Sequence, residues 1–474
     1  MRRGRGLLRR VAGRARGPGP AHRPHHRAGP VTGEPLTGPL TEPLTWGQRA
    51  IWAAIERTAP DDRYFNFGRV LAVPRSIRQL GVADVRRAVG LLTDRHQALR
   101  TTIGPGPVQI VGESAEPVVG IVHAARGEEA AVAAELQARM ESSAFDYRDE
   151  RPLRVGVVIC EGTVGHVVLV FCHMAADGLG AEIAVRDLRL LLLLRGTAGG
   201  PPPTQPAELA RRQNSAEGLR LARAADEYWE REFSRIPVSM FPAQVAEPSG
   251  PPIWRALLTS RAAAMAAQRL AVLHGATTGA VLLAASAAMV GRVTGQELCA
   301  MLPIVGNRFR ADTRNAVTTL SQEGLFVCDV TAERFDDLLR AARPAALRAY
   351  RHAYHDPAGR AAATARASAA RGAEVQPYCC FNDMRFAEPP PRDWEPGEIH
   401  AALGSSTLTW PISQDRLNCR FCVHITGEGA GLGISVTADT RYLPKAGMES
   451  WLRGLEDLLV EAAARAAARK VHAG

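Results

Sequence analysis

The segment 167–180 reads VVLVFCHMAADGLG and holds the chain's clearest chemistry-bearing residues: His173, Asp177 four positions later, and Gly178. A neutral imidazole is basic enough near pH 7 to take a proton from an attacking nucleophile. The preceding run, Val167 to Phe171, is apolar and β-branched, which predicts a buried strand. A histidine just past a strand end is aimed by a rigid element and exposed by a loop. Taken alone, such a histidine is more often a hydrogen-bonded structural residue, so its neighbours must decide. In a tight loop the Asp177 carboxylate suits an ion pair that holds the loop better than it suits direct chemistry. Gly178 is expected to let the chain turn and approach the reacting groups closely.

Other reactive side chains carry weaker patterns. Cys419 and Cys422 have metal-ligand spacing, but no second pair lies nearby in sequence, so no metal site is expected. Cys379-Cys380 reads as packing. The eight cysteines of this long chain read as reduced thiols rather than a disulfide framework. His22, His25 and His26 sit in a basic leader, where they can bind metal adventitiously. His96 and Arg100 have helical spacing that favours a structural role. His352 and His355 lie in a polar stretch that reads as exposed.

The formal charge of +10 belongs to the leader: residues 1–30 hold nine arginines and no acid, and without them the net charge falls to +1. A nearly neutral body argues against nucleic acid as a partner. Residues 1–43, rich in Arg, Gly and Pro, read as a disordered leader without the apolar core of an export signal, so a cytoplasmic protein is expected. No run reaches the length of a membrane span, and the apolar stretch Ala280 to Val290 suits a buried helix.

The elements that must position His173 are mixed. Helices are predicted over 46–57, 82–96, 129–142, 180–195, 207–233, 261–274, 278–293 and 448–467. Strands are predicted over 100–104, 107–111, 153–160, 166–171, 298–303, 325–330, 378–381, 420–426 and 433–438, with a hairpin turn at Glu161-Gly162. The Gly/Pro-rich break at 196–206 separates two halves of similar style. The fold class is α+β, without the strict alternation of a doubly wound sheet. The expected organisation is a leader 1–43, an N-terminal lobe 44–198 carrying the motif, and a C-terminal lobe 199–474.

Read in order, the segments resemble the condensation domains of nonribosomal peptide synthetases, within the superfamily of thioester-dependent acyltransferases. The resemblance rests on His173-x-x-x-Asp177-Gly178, on Leu44-Thr45-Trp46-Gly47-Gln48, and on Arg95-His96-Gln97-Ala98-Leu99-Arg100-Thr101. Further support comes from Phe145-Asp146 with Pro152-Leu153-Arg154, from Glu227-Tyr228-Trp229, from residues 278–295 and from Gly306-Asn307-Arg308. It covers about residues 44–465.

The resemblance implies two chloramphenicol-acetyltransferase-like lobes in a V-shaped pseudo-dimer, with the active site in a central tunnel. It implies acyl transfer from a thioester to an amine or hydroxyl, in specialised-metabolite biosynthesis. His173 would be the base or positioning group, and Arg308 of the C-terminal lobe the partner of Asp177. Asn382, Ser405 and Ser406 are candidate substrate-binding or oxyanion-stabilising groups. The donor would ride on the phosphopantetheine arm of an acyl or peptidyl carrier protein, or on coenzyme A, with no tightly bound cofactor.

Two positions depart from the family pattern. Cys172 stands where the first of two adjacent histidines is usual, and the late D-F-G-W-G motif is not recognisable. With no adenylation or carrier domain attached, a free-standing protein is expected. A second reading is a degenerate condensation fold that recruits a carrier protein or tailoring enzyme. A third is a wax-ester or glycolipid acyltransferase of the same superfamily.

Overall fold

The computed structural model describes residues 40–472 except 74–76, 78, 197–199, 248–249, 387–389, 416–418 and 430. Residues 1–39 of the expected leader lie outside the described residues, as does the expected lobe boundary at 198/199. Among the described residues regular structure is present from Leu40, ahead of the expected position, because Leu40–Pro43 pairs as a strand with Val108–Val111.

The first half runs β1 (Leu40–Pro43), α1 (Trp46–Thr58), β2 (Asn66–Ala72), α2 (Val82–Arg95), β3 (Thr101–Gly104), β4 (Val108–Val111), β5 (Val119–His123), α3 (Glu129–Glu141), β6 (Leu153–Cys160), β7 (Thr163–Cys172) and α4 (Gly178–Leu193). Its main sheet has the order β2-β7-β6-β5, and a small sheet has the order β1-β4-β3. The β6–β7 hairpin turns at Glu161 and Gly162, both with positive φ, as a tight primed turn requires.

Alternation along β7 explains why its run is apolar throughout. Val167, Leu169 and Phe171 enter the core beneath α2 and α4. Val168, Val170 and Cys172 enter a second core with Ala133 and Leu136 of α3. A strand covered on both faces has no polar side. Each fully buried side chain of the Leu or Phe kind contributes about 1.5–3 kcal/mol.

The second half runs α5 (Pro206–Gln213), α6 (Ala216–Arg235), β8 (Ile253–Ser260), α7 (Arg261–His274), α8 (Thr278–Thr294), β9 (Leu298–Val305), β10 (Gln322–Glu323), β11 (Phe326–Asp329), α9 (Phe335–Arg351), α10 (Pro357–Arg371), β12 (Cys379–Asp383), α11 (Pro396–Ala402), β13 (Thr407–Gln414), β14 (Phe421–Glu428), β15 (Gly431–Asp439) and α12 (Lys445–His472). Its sheet has the order β10-β9-β12-β14-β15-β8-β13, with β11 also on β9. A large core joins this sheet to α6, α7, α8, α9 and α12. Among the described residues no single helix is long and apolar enough to cross a membrane. The apolar α8 is buried in that core.

Three expectations need correction. The helix expected over 207–233 is two helices, because Ser215 caps α6 by accepting from the Gly218 N–H and Asn214 and Ser215 favour such caps over helix interiors. His355 is not exposed: it is buried edge-on against Trp229, and burial pushes its imidazole down to about 3. His352 stacks on Tyr228 at 4.5 Å. The thiols are not all reduced. The parallel pairing of β12 with β14 sets Cys380 opposite Cys422, Cα to Cα 4.5 Å, and the two form a disulfide.

Candidate active site

Strand β7 ends at Cys172, which pairs with Asn66 of β2. The Ala175 N–H donates to the Cys172 carbonyl at 2.9 Å and turns the chain. Asp177 then caps α4, its Oδ1 accepting from the Gly180 N–H at 2.8 Å. His173 sits between the strand end and this cap. Phe67 and Phe65 stand edge-on to its ring at 5.4 and 6.4 Å. Its carbonyl accepts the Thr319 hydroxyl from the C-terminal lobe. Its Nδ1 is buried, and no side chain among the described residues hydrogen-bonds it. Burial holds the imidazole below its ordinary value, opposed by its own backbone and the Asp177 charge.

Asp177 is 1% exposed and is held almost entirely by the other lobe. Arg308 Nη2 donates to Oδ1 and Nη1 to Oδ2, each at 2.8 Å. Oδ2 also accepts the Leu320 and Ser321 N–H groups at 3.0 and 2.9 Å and the Ser321 hydroxyl at 2.8 Å. Burial alone pushes the carboxyl up, but the Arg308 charge and these donors win and leave it at about 2. Arg308 Nη1 also donates to the Gly306 carbonyl and Nη2 to the Ala316 and Thr318 carbonyls, while its buried Nε has no hydrogen-bond partner among the described residues. The arginine is placed by Asn307, which adopts φ +50° and donates to the Leu320 and Ala353 carbonyls. Asparagine is among the few residues that tolerate that region.

Gly178 is needed for space rather than for turning. It is already the first residue of α4, and it is not among the residues with positive φ. A Cβ there would lie 2.5 Å from Cζ of Phe386. Phe386 follows the end of β12 by three residues, just as Arg308 follows the end of β9 by three. These two strands are parallel neighbours, so their ends deliver both side chains to the start of one helix.

Residues 41–469 match the family model described as a condensation domain. The chain belongs to the condensation-domain family. Chondramide synthase of Chondromyces crocatus is 28% identical over 255 residues, which is 50% of this chain and 6% of that protein. Surfactin synthase subunit 2 of Bacillus subtilis (strain 168) is 25% identical over 290 residues, 58% of this chain and 8% of that protein. The chain spans 4 to 12% of the length of curated relatives such as these. The condensation domain of the monacolin K polyketide synthase aligns with a TM-score of 0.67 at 16% identity, covering 90% of this chain and 97% of that one. A condensation domain that mediates chain release from the enacyloxin polyketide synthase gives 0.68 at 17% identity, covering 93% and 86%. At these identities the likeness shows the fold.

Within this condensation domain Cys172 is a core residue. It is 2% exposed, and burial pushes its thiol up to about 12. Asn382 lies on β12, in register with His424 of β14. The Ser405 hydroxyl donates to the Ala402 carbonyl, and the Ser406 hydroxyl bonds Glu456 and Ser260. None of these bonds reaches the motif loop.

The arginine-histidine segment is structural scaffolding. His96 Nε2 and Arg95 Nε lie 3.0 and 3.1 Å from Oδ2 of Asp187 on α4, whose Oδ1 takes Arg186. Arg100 donates to the Thr93 and Gly112 carbonyls. Sequence reasoning missed Thr319, Leu320, Ser321 and Phe386. The hydroxyl-rich run Thr318-Thr319-Leu320-Ser321, shortly after Arg308, was a readable signal for three of them. Phe386 carried none.

Proposed function

We propose that this chain is an acyltransferase that joins a thioester-bound acyl group to an amine or hydroxyl, forming an amide or ester in natural-product biosynthesis. One observation carries the reading. His173 is fixed at a strand end with a buried Nδ1 and no side-chain partner, on a loop clamped by Asp177 and Arg308. Nε2 is then the atom left for a substrate proton. A nitrogen held below the ordinary imidazole value is in its basic form at neutral pH.

The acceptor nitrogen or oxygen attacks the thioester carbonyl while His173 Nε2 takes its proton. The carbon–sulfur bond then breaks, and the leaving thiolate recovers that proton. General-base help of this kind is typically worth about 10²–10⁴-fold. Holding the two reactants in line contributes the rest. Asn382 is the facing-lobe candidate for contacting substrate, since the hydroxyls of Ser405 and Ser406 are engaged within their own lobe. The donor is the phosphopantetheine thioester of a carrier protein or of coenzyme A, acting as substrate, and no tightly bound cofactor is invoked. The buried, weakly acidic Cys172 packs where a first histidine is usual. A core position of this kind does not face substrate, so the change there leaves His173 as the reacting group and favours the enzyme over the recruitment reading.

The test is intact-mass spectrometry of acceptor acylation with acyl-loaded carrier proteins and acyl-CoAs, comparing wild type with His173→Ala. Acyl transfer lost in a folded variant supports the enzyme. A wild type that binds carrier protein but transfers nothing supports recruitment instead.

A further inference from the structure

A three-sulfur cluster lies in the C-terminal lobe. In sequence, Cys419-x-x-Cys422 is one pair of ligands with no second pair nearby. The fold changes that count. The register of β12 against β14 sets Cys380 directly opposite Cys422. Cys419 stands just before β14, and the Sγ atoms of Cys380, Cys419 and Cys422 all lie within 4.8 Å of one another. A tetrahedral zinc site with Zn–S bonds of about 2.3 Å spaces its sulfurs roughly 3.8 Å apart, so side-chain adjustment alone could close the cluster on an ion. Of the three, Cys422 is buried and Cys419 is half-buried. Cys379, on the opposite face of β12, packs into the core and takes no part.

We propose that these three cysteines, with the disulfide reduced, form a trithiolate site for a thiophilic cation of the Zn²⁺ type, with water as its fourth ligand. A dithiol reductant opens the Cys380–Cys422 bond: each sulfur gains an electron and a proton, and the reductant closes its own disulfide. Metal binding then releases three thiol protons and leaves a complex of net charge −1. In the oxidised chain only Cys419 of the three remains a thiol, so metal capacity follows the redox state of the Cys380–Cys422 pair.

The experiment uses the full chain, reduced under nitrogen and desalted. Zn²⁺ is counted by native mass spectrometry, and Cd²⁺ is followed by its ultraviolet thiolate charge-transfer band. The expected result is one Zn²⁺ per chain after reduction, none before it, and a cadmium–thiolate band. Cys419→Ser should weaken binding by at least about 100-fold, beyond the loss typical of an outer-shell partner, while the metal-free melting curve stays in place. Cys160→Ser, outside the cluster, should leave binding unchanged. No stoichiometric metal on the reduced chain overturns the proposal. So does zinc that survives Cys419→Ser but is lost when His22, His25 and His26 are replaced by alanine.

Discussion

Arg308 and Asp177 meet across the two lobes as a two-pronged pair, each guanidinium nitrogen 2.8 Å from its own carboxylate oxygen. Both side chains are almost fully buried, at 5% and 1% exposure. Arg308→Ala leaves a buried carboxylate facing an empty cation site, and breaking such a pair costs about 3–5 kcal/mol. Urea denaturation should show that loss. Arg308→Lys should recover only part of it, since one ammonium cannot serve both oxygens. An unchanged midpoint in Arg308→Ala would show that the pair holds nothing together.

The same pair sets an acid sensitivity. The Asp177 carboxyl titrates at about 2 in the folded chain and near 3.9 when unfolded. A folded value below the unfolded one means stability that is present above about pH 4 and lost as pH falls towards 2, worth about 2–3 kcal/mol. Wild type should therefore lose more stability than Asp177→Asn between pH 5 and pH 2. Parallel acid titrations of the two proteins check this.

His173 gives a prediction for activity. Burial holds its imidazole below the ordinary value, so it stays deprotonated into more acidic solution than an exposed histidine. The acid limb of kcat/KM should fall below pH 6.5. A limb at or above 6.5 would remove His173 as the titrating base or show that the ring is solvated during turnover.

Gly178→Ala places a methyl group 2.5 Å from Phe386. Overpacking of this kind costs about 1–3 kcal/mol. Because α4 begins at this residue, acyl transfer should fall along with stability. Phe386→Leu combined with Gly178→Ala should recover much of both. If the double variant is no better than Gly178→Ala, Phe386 is not what excludes the side chain.

The strands and helices with strong periodicity were readable from the sequence for a local reason. The run at Val167–Phe171 and the helix at 261–274 carry their own signals in β-branching and spacing. The Asp177–Arg308 partnership was readable only through the family resemblance. Spacing alone gives no hint that residues 131 positions apart are joined. Strands β5, β8 and β13 were missed although Val119-Gly120-Ile121-Val122 and Thr407-Leu408-Thr409-Trp410 carry β-forming residues, whereas β2 is a sheet member whose neighbours, rather than its composition, make it extended. Asn66-Phe67-Gly68-Arg69 has weak strand character, yet it pairs along β7 from Cys172 onward. His355 misled for the converse reason: a polar neighbourhood in sequence was folded under Trp229. Ser405 and Ser406 were chosen by position near a missing motif, and their hydroxyls are spent on local partners.

The shared delivery of Arg308 and Phe386 by two adjacent parallel strands has a mechanical consequence. Both contacts fall on two consecutive residues, Asp177 and Gly178, and they belong to a longer seam that also holds Arg49 to Asp356, Trp46 to Tyr354 and Arg186 to Asn315. The loop that carries His173 is thus gripped at both ends, by Thr319 at its first residue and by Arg308 and Phe386 at its last. A loop gripped in this way keeps the aim of its imidazole without help from a bound substrate.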